Sequence, residues 1–170
     1  MKGLTPERAM ETVFSGNPWT TSFTEDSFGN IWIGTYRNGT FCFHRNQTPF
    51  QKSMSGKNIE CMSTDHSGNY WIGSLNGEVC VLDSTQKQIM GKTIFPNDMI
   101  HTICGQESSN KVWVGTMYGL YEAWIESNKQ IVYQKTSGIN IPSIRSIVQD
   151  SCFLWIASYN NGVTLYNYST

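Results

Sequence analysis

Apolar residues in this chain fall in short runs separated by small polar clusters, not at the spacing of a helix face. Between residues 58 and 95 the pattern predicts four strands, at 59–64, 70–74, 78–82 and 88–94. Polar turns separate them at 65–69, around Asn76-Gly77 and at 83–87. Runs bounded by Gly, Asn, Asp and Ser are the usual signal of strands joined by tight turns. Near the end of the chain the same pattern predicts strands at 144–149, 154–158 and 163–168. Only residues 6–11 carry a trace of helical period. Turn chemistry agrees with the strands. An Asp opening a turn accepts a hydrogen bond from the backbone two residues on. Gly29 and Gly68 supply positive φ, and Asn110 tolerates it.

The strands belong to a repeat. Four segments align on Trp32, Trp71, Trp113 and Trp155, spaced by 39, 42 and 42 residues. The first runs from Asp26 through Gly29-Asn30-Ile31-Trp32-Ile33-Gly34-Thr35 to Gly39. The second runs from Asp65 through Gly68-Asn69-Tyr70-Trp71-Ile72-Gly73-Ser74 to Gly77. The third aligns Glu107, Asn110, Trp113, Gly115 and Gly119. The fourth aligns Asp150, Trp155 and Gly162, has lost one turn residue, and carries Ala157 in place of the small glycine. The Ile-Trp-Ile runs do not alternate apolar with polar, so these strands are expected to be buried on both faces. A four-stranded sheet buried on both faces needs a like neighbour on each side, and radial packing of such sheets gives a β-propeller. Gly34, Gly73 and Gly115 are expected to let neighbouring sheets approach. The fold class is therefore all-β, a propeller segment of four four-stranded antiparallel blades. They lie at about 20–55, 58–95, 99–136 and 143–170, and the last lacks its own fourth strand. All four tryptophans are expected to be buried at equivalent positions. A stray strand at about 10–15 has no blade of its own. It could complete the last blade of its own chain or of a second copy, so self-association through open blade edges is expected.

Charge changes the picture by exclusion. Lys and Arg number 12 against 13 Asp and Glu, and only 15% of residues are charged, which argues against nucleic acid as a partner. No apolar run approaches the ~20 residues of a membrane helix, and the first residues lack the apolar region of a signal peptide. The five cysteines form no C-x-x-C pair and are read as small buried hydrophobes. His44, His66 and His101 share no ligand motif and are read as solvated or strand-edge, so no metal and no cofactor are expected. Asp26, Asp65 and Asp150 recur with the repeat and are read as turn caps. Nothing singles out the facing carboxylate pair that a glycosidase needs. The arginines are few (Arg8, Arg37, Arg45 and Arg145), and no nucleophile elbow or phosphate loop is present. No catalytic residue is assigned.

Topology supplies the candidate site. In a meandering blade, the loops joining strands two to three and four to one open on one face. That face would carry Trp19, Tyr36, Arg37, Asn38, Tyr118, Tyr159 and Asn160, accompanied by Asn17, Asn76, Asn140 and Asn161. It is rich in aromatic rings and amides and poor in net charge, which suits a sugar: rings stack on aromatic faces and hydroxyls pair with amides. The seven named first are the candidate ligand-binding residues.

The pattern D-x-x-G-N-x-W-I-G-T followed by Gly resembles the two-component regulator propeller repeat over about residues 11–170, with I-x-x-I/M-x-x-D just upstream. The resemblance is tight in the first two units and degraded in the fourth. It implies a periplasmic, non-catalytic sensing segment of a hybrid two-component histidine kinase responding to an oligosaccharide from glycan breakdown. The rest of the parent sensor chain, kinase included, would lie elsewhere. A propeller glycosidase or lyase and a protein-interaction scaffold are the alternatives.

Overall fold

A computed structural model of the chain describes residues 19–43, 51–53, 56–83, 85 and 88–168, and among these there is no helix. The expected strand at 10–15, the trace of helix at 6–11 and His44 lie outside the described residues. Among the described residues fifteen strands make four antiparallel sheets, each a simple meander. Blade 1 holds β1 (Trp19–Glu25), β2 (Ile31–Tyr36), β3 (Gly39–Phe43) and β4 (Gln51–Ser53). Blade 2 holds β5 (Ile59–Thr64), β6 (Tyr70–Ser74), β7 (Glu78–Leu82) and β8 (Gln88–Thr93). Blade 3 holds β9 (Ile100–Gly105), β10 (Lys111–Thr116), β11 (Gly119–Ile125) and β12 (Ile131–Lys135). Blade 4 has three strands, β13 (Ile144–Asp150), β14 (Phe153–Ser158) and β15 (Gly162–Asn167).

The chain divides into two compact units, Met1–Ile59 and Glu60–Thr170. In the first, Asp26 builds the turn between β1 and β2. One carboxylate oxygen accepts from the backbone N–H of Phe28 (2.9 Å) and of Asn30 (2.8 Å). The other accepts from Asn30 Nδ2 (2.8 Å) and from the buried Trp32 indole N–H (3.3 Å). One carboxylate thus closes the turn and satisfies the tryptophan, which is why Asp, Asn and Trp recur together. A Cβ at Gly34 would lie 2.6 Å from Ser22 Oγ and 2.9 Å from Ile59 Cγ2, so only glycine fits there.

In the second unit Asp65 repeats this device, accepting from Asn69 N (2.9 Å), Asn69 Nδ2 (2.9 Å) and Trp71 Nε1 (2.9 Å). Blade 3 departs from the expected alignment. Its turn is one residue longer, and Gln106, not Glu107, pairs with Lys111 across it, its N–H on the Lys111 carbonyl (3.0 Å). Without the carboxylate, the buried Trp113 Nε1 finds no hydrogen-bond partner. Glu122 on β11 pins this turn instead, accepting from Gln106 (3.0 Å), Lys111 (3.2 Å) and Gln134 (3.0 Å). Burial pushes the Glu122 carboxyl up, but these donors and the Lys111 charge outweigh it and hold the group below its ordinary range. In blade 4 the shortened turn leaves Asp150 exposed, with Ser151 Oγ 3.5 Å away. Asp150 is therefore not the cap that the repeat suggested.

Blade stacking explains the glycines. A Cβ at Gly73 would meet Ile100 Cγ2 at 2.7 Å, and one at Gly115 would meet Ile144 Cγ2 at 2.5 Å. Each Trp–Gly face in this unit thus receives the isoleucine that opens the next blade. Trp71 is fully buried in a core with Ile100, Ile103, Val112 and Val114. Trp113 packs with Ile144, Ile147, Leu154 and Ile156, and its ring lies 5.5 Å from that of Tyr168. Trp155 does not follow suit. It is 47% exposed, and its cross-strand partners Val148 and Leu165, like Val163, are exposed with it. Paired residues share a sheet face, and this face is the one that the two preceding blades turn toward their successors. Among the described residues no later blade covers it, so the expectation that all four tryptophans are buried fails at the fourth.

The cysteines match their reading in part. Cys42, Cys61 and Cys80 are buried, Cys104 and Cys152 are half-buried, and none is bridged. Burial, with the Asp26 charge, pushes the Cys42 thiol up to about 12.

Candidate functional site

Tight hairpins and loop-to-loop hydrogen bonds place the candidate residues. In the first unit the β2–β3 turn runs through Tyr36, Arg37 and Asn38, with Thr35 paired to Gly39 across it. Arg37 holds φ 75°, a conformation that a side chain with a Cβ rarely adopts. Trp19 pairs with Tyr36 across β1 and β2, and their rings lie 6.0 Å apart. The Arg37 guanidinium stacks 5.1 Å from the Tyr36 ring centre. Trp19 and Arg37 are exposed, while Tyr36 and Asn38 are half-buried. The four expected residues of this unit therefore gather around one turn, three of them in a stack.

In the second unit a chain of backbone hydrogen bonds crosses blades 3 and 4 at the end where the first strands begin. Met117 N–H donates to the Met99 carbonyl (3.2 Å), Ser143 N–H to that of Met117 (2.7 Å), and Tyr159 N–H to that of Ser143 (2.9 Å). Asp98, buried, fixes the start by accepting from Met99 N (2.8 Å) and Met117 N (3.0 Å). The chain ties the loop before β9, the β10–β11 turn, the loop before β13 and the β14–β15 turn into one rim. Met99, Met117, Tyr118 and Tyr159 are exposed on it. Asn160 follows with φ 79°, which asparagine tolerates. Tyr118, Tyr159 and Asn160 thus sit on neighbouring turns of one rim, as the topology required.

Beneath this rim lies a group that no sequence motif flagged. Glu60, His101 and Arg145 each follow the isoleucine that opens the first strand of blades 2, 3 and 4. Arg145 Nη1 lies 3.1 Å from His101 Nδ1, and Glu60 Oε1 lies 3.9 Å from the same nitrogen. The Arg145 guanidinium also stacks 5.6 Å from the Tyr159 ring centre. His101, on the edge strand β9, is buried, so it is strand-edge but not solvated. Burial, reinforced by Arg145 and opposed by Asp98, holds its imidazole below the ordinary value. Burial raises the Glu60 carboxyl against the pull of Arg145. The recurring dipeptides Ile-Glu, Ile-His and Ile-Arg were visible in the sequence, but their convergence depends on how the blades stack.

A cleft of about 290 Å³ opens at the other end of the second unit, lined by Asp65, Ser67, Asn69, Asp83, Asn110, Ile125 and Lys129. Its polar groups are largely committed to the fold. Asp65 serves Asn69 and Trp71, Asp83 accepts from Thr85, and Ser67 donates to Asn110. Among the described residues no three His, Cys, Asp or Glu side chains converge to hold a metal ion.

Meandering four-stranded sheets with this repeat and this stacking define a β-propeller segment. Residues 14–37 match the two-component regulator propeller model. It is similar to the extracellular domain of BT3049, assigned as a hybrid two-component system of B. thetaiotaomicron. Identity is 25% and the TM-score 0.71, over 94% of this chain and 22% of that one. The extracellular domain of BT4673 from the same bacterium, assigned as a one-component system, is 24% identical with TM-score 0.66, over 89% and 21%. YCF48 from Cyanidioschyzon merolae is 11% identical with TM-score 0.72, over 98% and 56%. The last two likenesses are of fold. The chain spans about a fifth of the two bacterial extracellular domains. No curated protein sequence matches it.

Proposed function

We propose that this chain is a non-catalytic, ligand-sensing segment of the extracellular region of a two-component sensor, that it lies in the periplasm, and that its ligand is an oligosaccharide. The kinase of the parent sensor lies outside these 170 residues. The observation that carries the reading is the set of exposed rings on a hydrogen-bonded backbone: Trp19 at the start of β1 in one unit, Tyr118 and Tyr159 on the tied turns of the other. Exposed rings on a fixed frame stack on sugar faces at little conformational cost. Arg37, Asn38 and Asn160 beside them supply hydrogen-bond donors and acceptors for hydroxyls. Likeness to an extracellular domain assigned to a hybrid two-component system supports the sensor role and the location. The repeat carboxylates Asp26 and Asp65 serve turns, so they are not free to work as a hydrolytic pair.

Titration calorimetry against a panel of defined oligosaccharides tests this. Binding should be seen for at least one, without turnover, and should weaken at least tenfold in Trp19→Ala or Tyr159→Ala. Hydrolysis that disappears on replacement of one carboxylate would replace the sensing reading with the glycosidase one.

We further propose that copies associate through blade 4, where β15 is an edge strand and Trp155, Val148 and Leu165 are exposed. Light scattering should show a dimer that Leu165→Lys dissociates; a monomer across the micromolar range would refute it.

A further inference from the structure

The Arg145 guanidinium is placed and unspent. A guanidinium carries five N–H donors and accepts nothing, so at the 3.1 Å contact His101 Nδ1 must be the acceptor. The neutral imidazole therefore carries its proton on Nε2. That nitrogen is fully buried, in a residue only 9% exposed, and finds no hydrogen-bond partner. The contact commits one edge of the guanidinium, and the Tyr159 ring takes one face of it. Among the described residues Arg145 forms no ion pair with a carboxylate. Glu60, the acid of this group, lies 3.9 Å from the imidazole and forms no such pair with the guanidinium. The first unit repeats the arrangement: Arg37 stacks on Tyr36 and likewise forms no ion pair among the described residues. Lys111, away from these turns, is paired with Glu122 at 3.2 Å. Arg37 on its turn and Arg145 at the start of β13 are thus without a carboxylate ion pair among the described residues, each laid on a tyrosine that fixes its plane.

We propose that Arg145 is the anion-binding arm of this rim, and that the saccharide bound there carries a carboxylate or sulfate group. The inference rests on the sensing reading above and narrows its ligand class. A planar fork with free donors matches the two oxygens of a carboxylate or sulfate. Tyr159 and Tyr118 beside it receive the sugar ring. His101 is a positioning residue: it holds the guanidinium from behind in one orientation. Glu60 sets a like charge near the anion and limits the affinity.

Calorimetry on the 170-residue chain with three disaccharides tests the assignment: digalacturonate, a monosulfated galactobiose and neutral cellobiose. At least one acidic disaccharide should bind at least tenfold more tightly than cellobiose, and added salt should weaken that preference. Preference for the uronate alone assigns a carboxylate, and preference for the sulfated sugar alone assigns a sulfate. Arg145→Gln should weaken the acidic disaccharide at least tenfold and so abolish the preference. Arg145→Lys should restore only part of it, and Glu60→Gln should tighten the acidic sugar alone. Circular dichroism confirms that each variant is folded. Equal binding of all three sugars, or a preference that survives Arg145→Gln, would overturn the anion site and leave the sensing reading standing. No binding of any saccharide, in this set or in the wider panel, would overturn both.

Discussion

Removing the Asp65 carboxylate should expose how this repeat is held together. In Asp65→Ala, Asn69 loses the acceptor for its N–H and its side-chain amide, both at 2.9 Å, and Trp71 loses the acceptor for its indole N–H. Asn69 can turn to water. The Trp71 ring is fully buried, so its N–H is left without a partner. A hydrogen bond to a charged acceptor contributes about 1.5–3 kcal/mol, and an orphaned buried donor costs about 1–3 kcal/mol. These contributions overlap, because the same bonds are counted in both, so the expected loss is about 3 kcal/mol. For a domain this size m in urea is about 2 kcal/mol/M, so the midpoint should fall by about 1.5 M. The assay is a urea titration followed by tryptophan fluorescence and far-ultraviolet circular dichroism. Asp65→Asn should lose nearly as much, because its amide N–H groups would face donors. Blade 3 supplies the internal control. Trp113 Nε1 already lacks a partner, so Gln106→Ala orphans no buried indole; it removes a bond to the Glu122 carboxylate (3.0 Å) and one from Ser109 Oγ (2.7 Å) and should cost about 1.5–2 kcal/mol, less than Asp65→Ala. A midpoint shift below about 0.3 M in Asp65→Ala, corresponding to well under 1 kcal/mol, would refute the view that the carboxylate anchors the tryptophan.

Gly115→Ala would press a Cβ to 2.5 Å from Ile144 and 2.6 Å from Thr102 Cγ2, so it should destabilise by about 1–3 kcal/mol by thermal or urea unfolding. Trp71→Ala should cost about 3–5 kcal/mol, whereas Trp155→Ala, half-exposed within its own chain, should cost less than about 1.5 kcal/mol when both are compared in the dissociated Leu165→Lys background. His101 has a lowered proton affinity when folded, so below its ordinary value of 6.5 the unfolded chain binds more protons. Its contribution is thus present above 6.5 and is lost as pH falls toward the folded value. Glu60, raised when folded, acts with the opposite sign, favouring the folded state at low pH and losing that contribution as pH rises above 4.5. Unfolding titrations across pH 4–8 should therefore show His101→Gln losing less stability on acidification than the parent chain, and a parallel pair of curves would count against the assignment. Among the thiols, buried Cys42, Cys61 and Cys80 should resist a thiol reagent in the native state while Cys152 reacts first, as mass spectrometry of the labelled peptides would show.

Much of this molecule was determined by local sequence. Strand positions and turns follow from apolar runs broken by Asp, Gly and Asn, because a turn is chosen by residues within five positions of one another. The strands expected at 59–64, 70–74 and 78–82 occur at those residues for that reason. Burial of Trp32 and Trp71 was equally legible, since their Asp caps lie six residues upstream. The clustering of Tyr118, Tyr159 and Asn160 on one rim needed only the meander topology. Tertiary structure decided the rest. Trp155 reads like its three counterparts, yet its environment depends on whether another sheet covers its face, which no local pattern records. Trp113 keeps its place in the core after losing its carboxylate, because Glu122 from the neighbouring strand pins the turn. Glu60, His101 and Arg145 lie more than forty residues apart in succession and carry no shared motif. They meet because stacking each Trp–Gly face on the next opening isoleucine sets the following residues side by side. Charge placement at that distance is a property of the packed sheets, and side-chain pattern along a single strand cannot encode it.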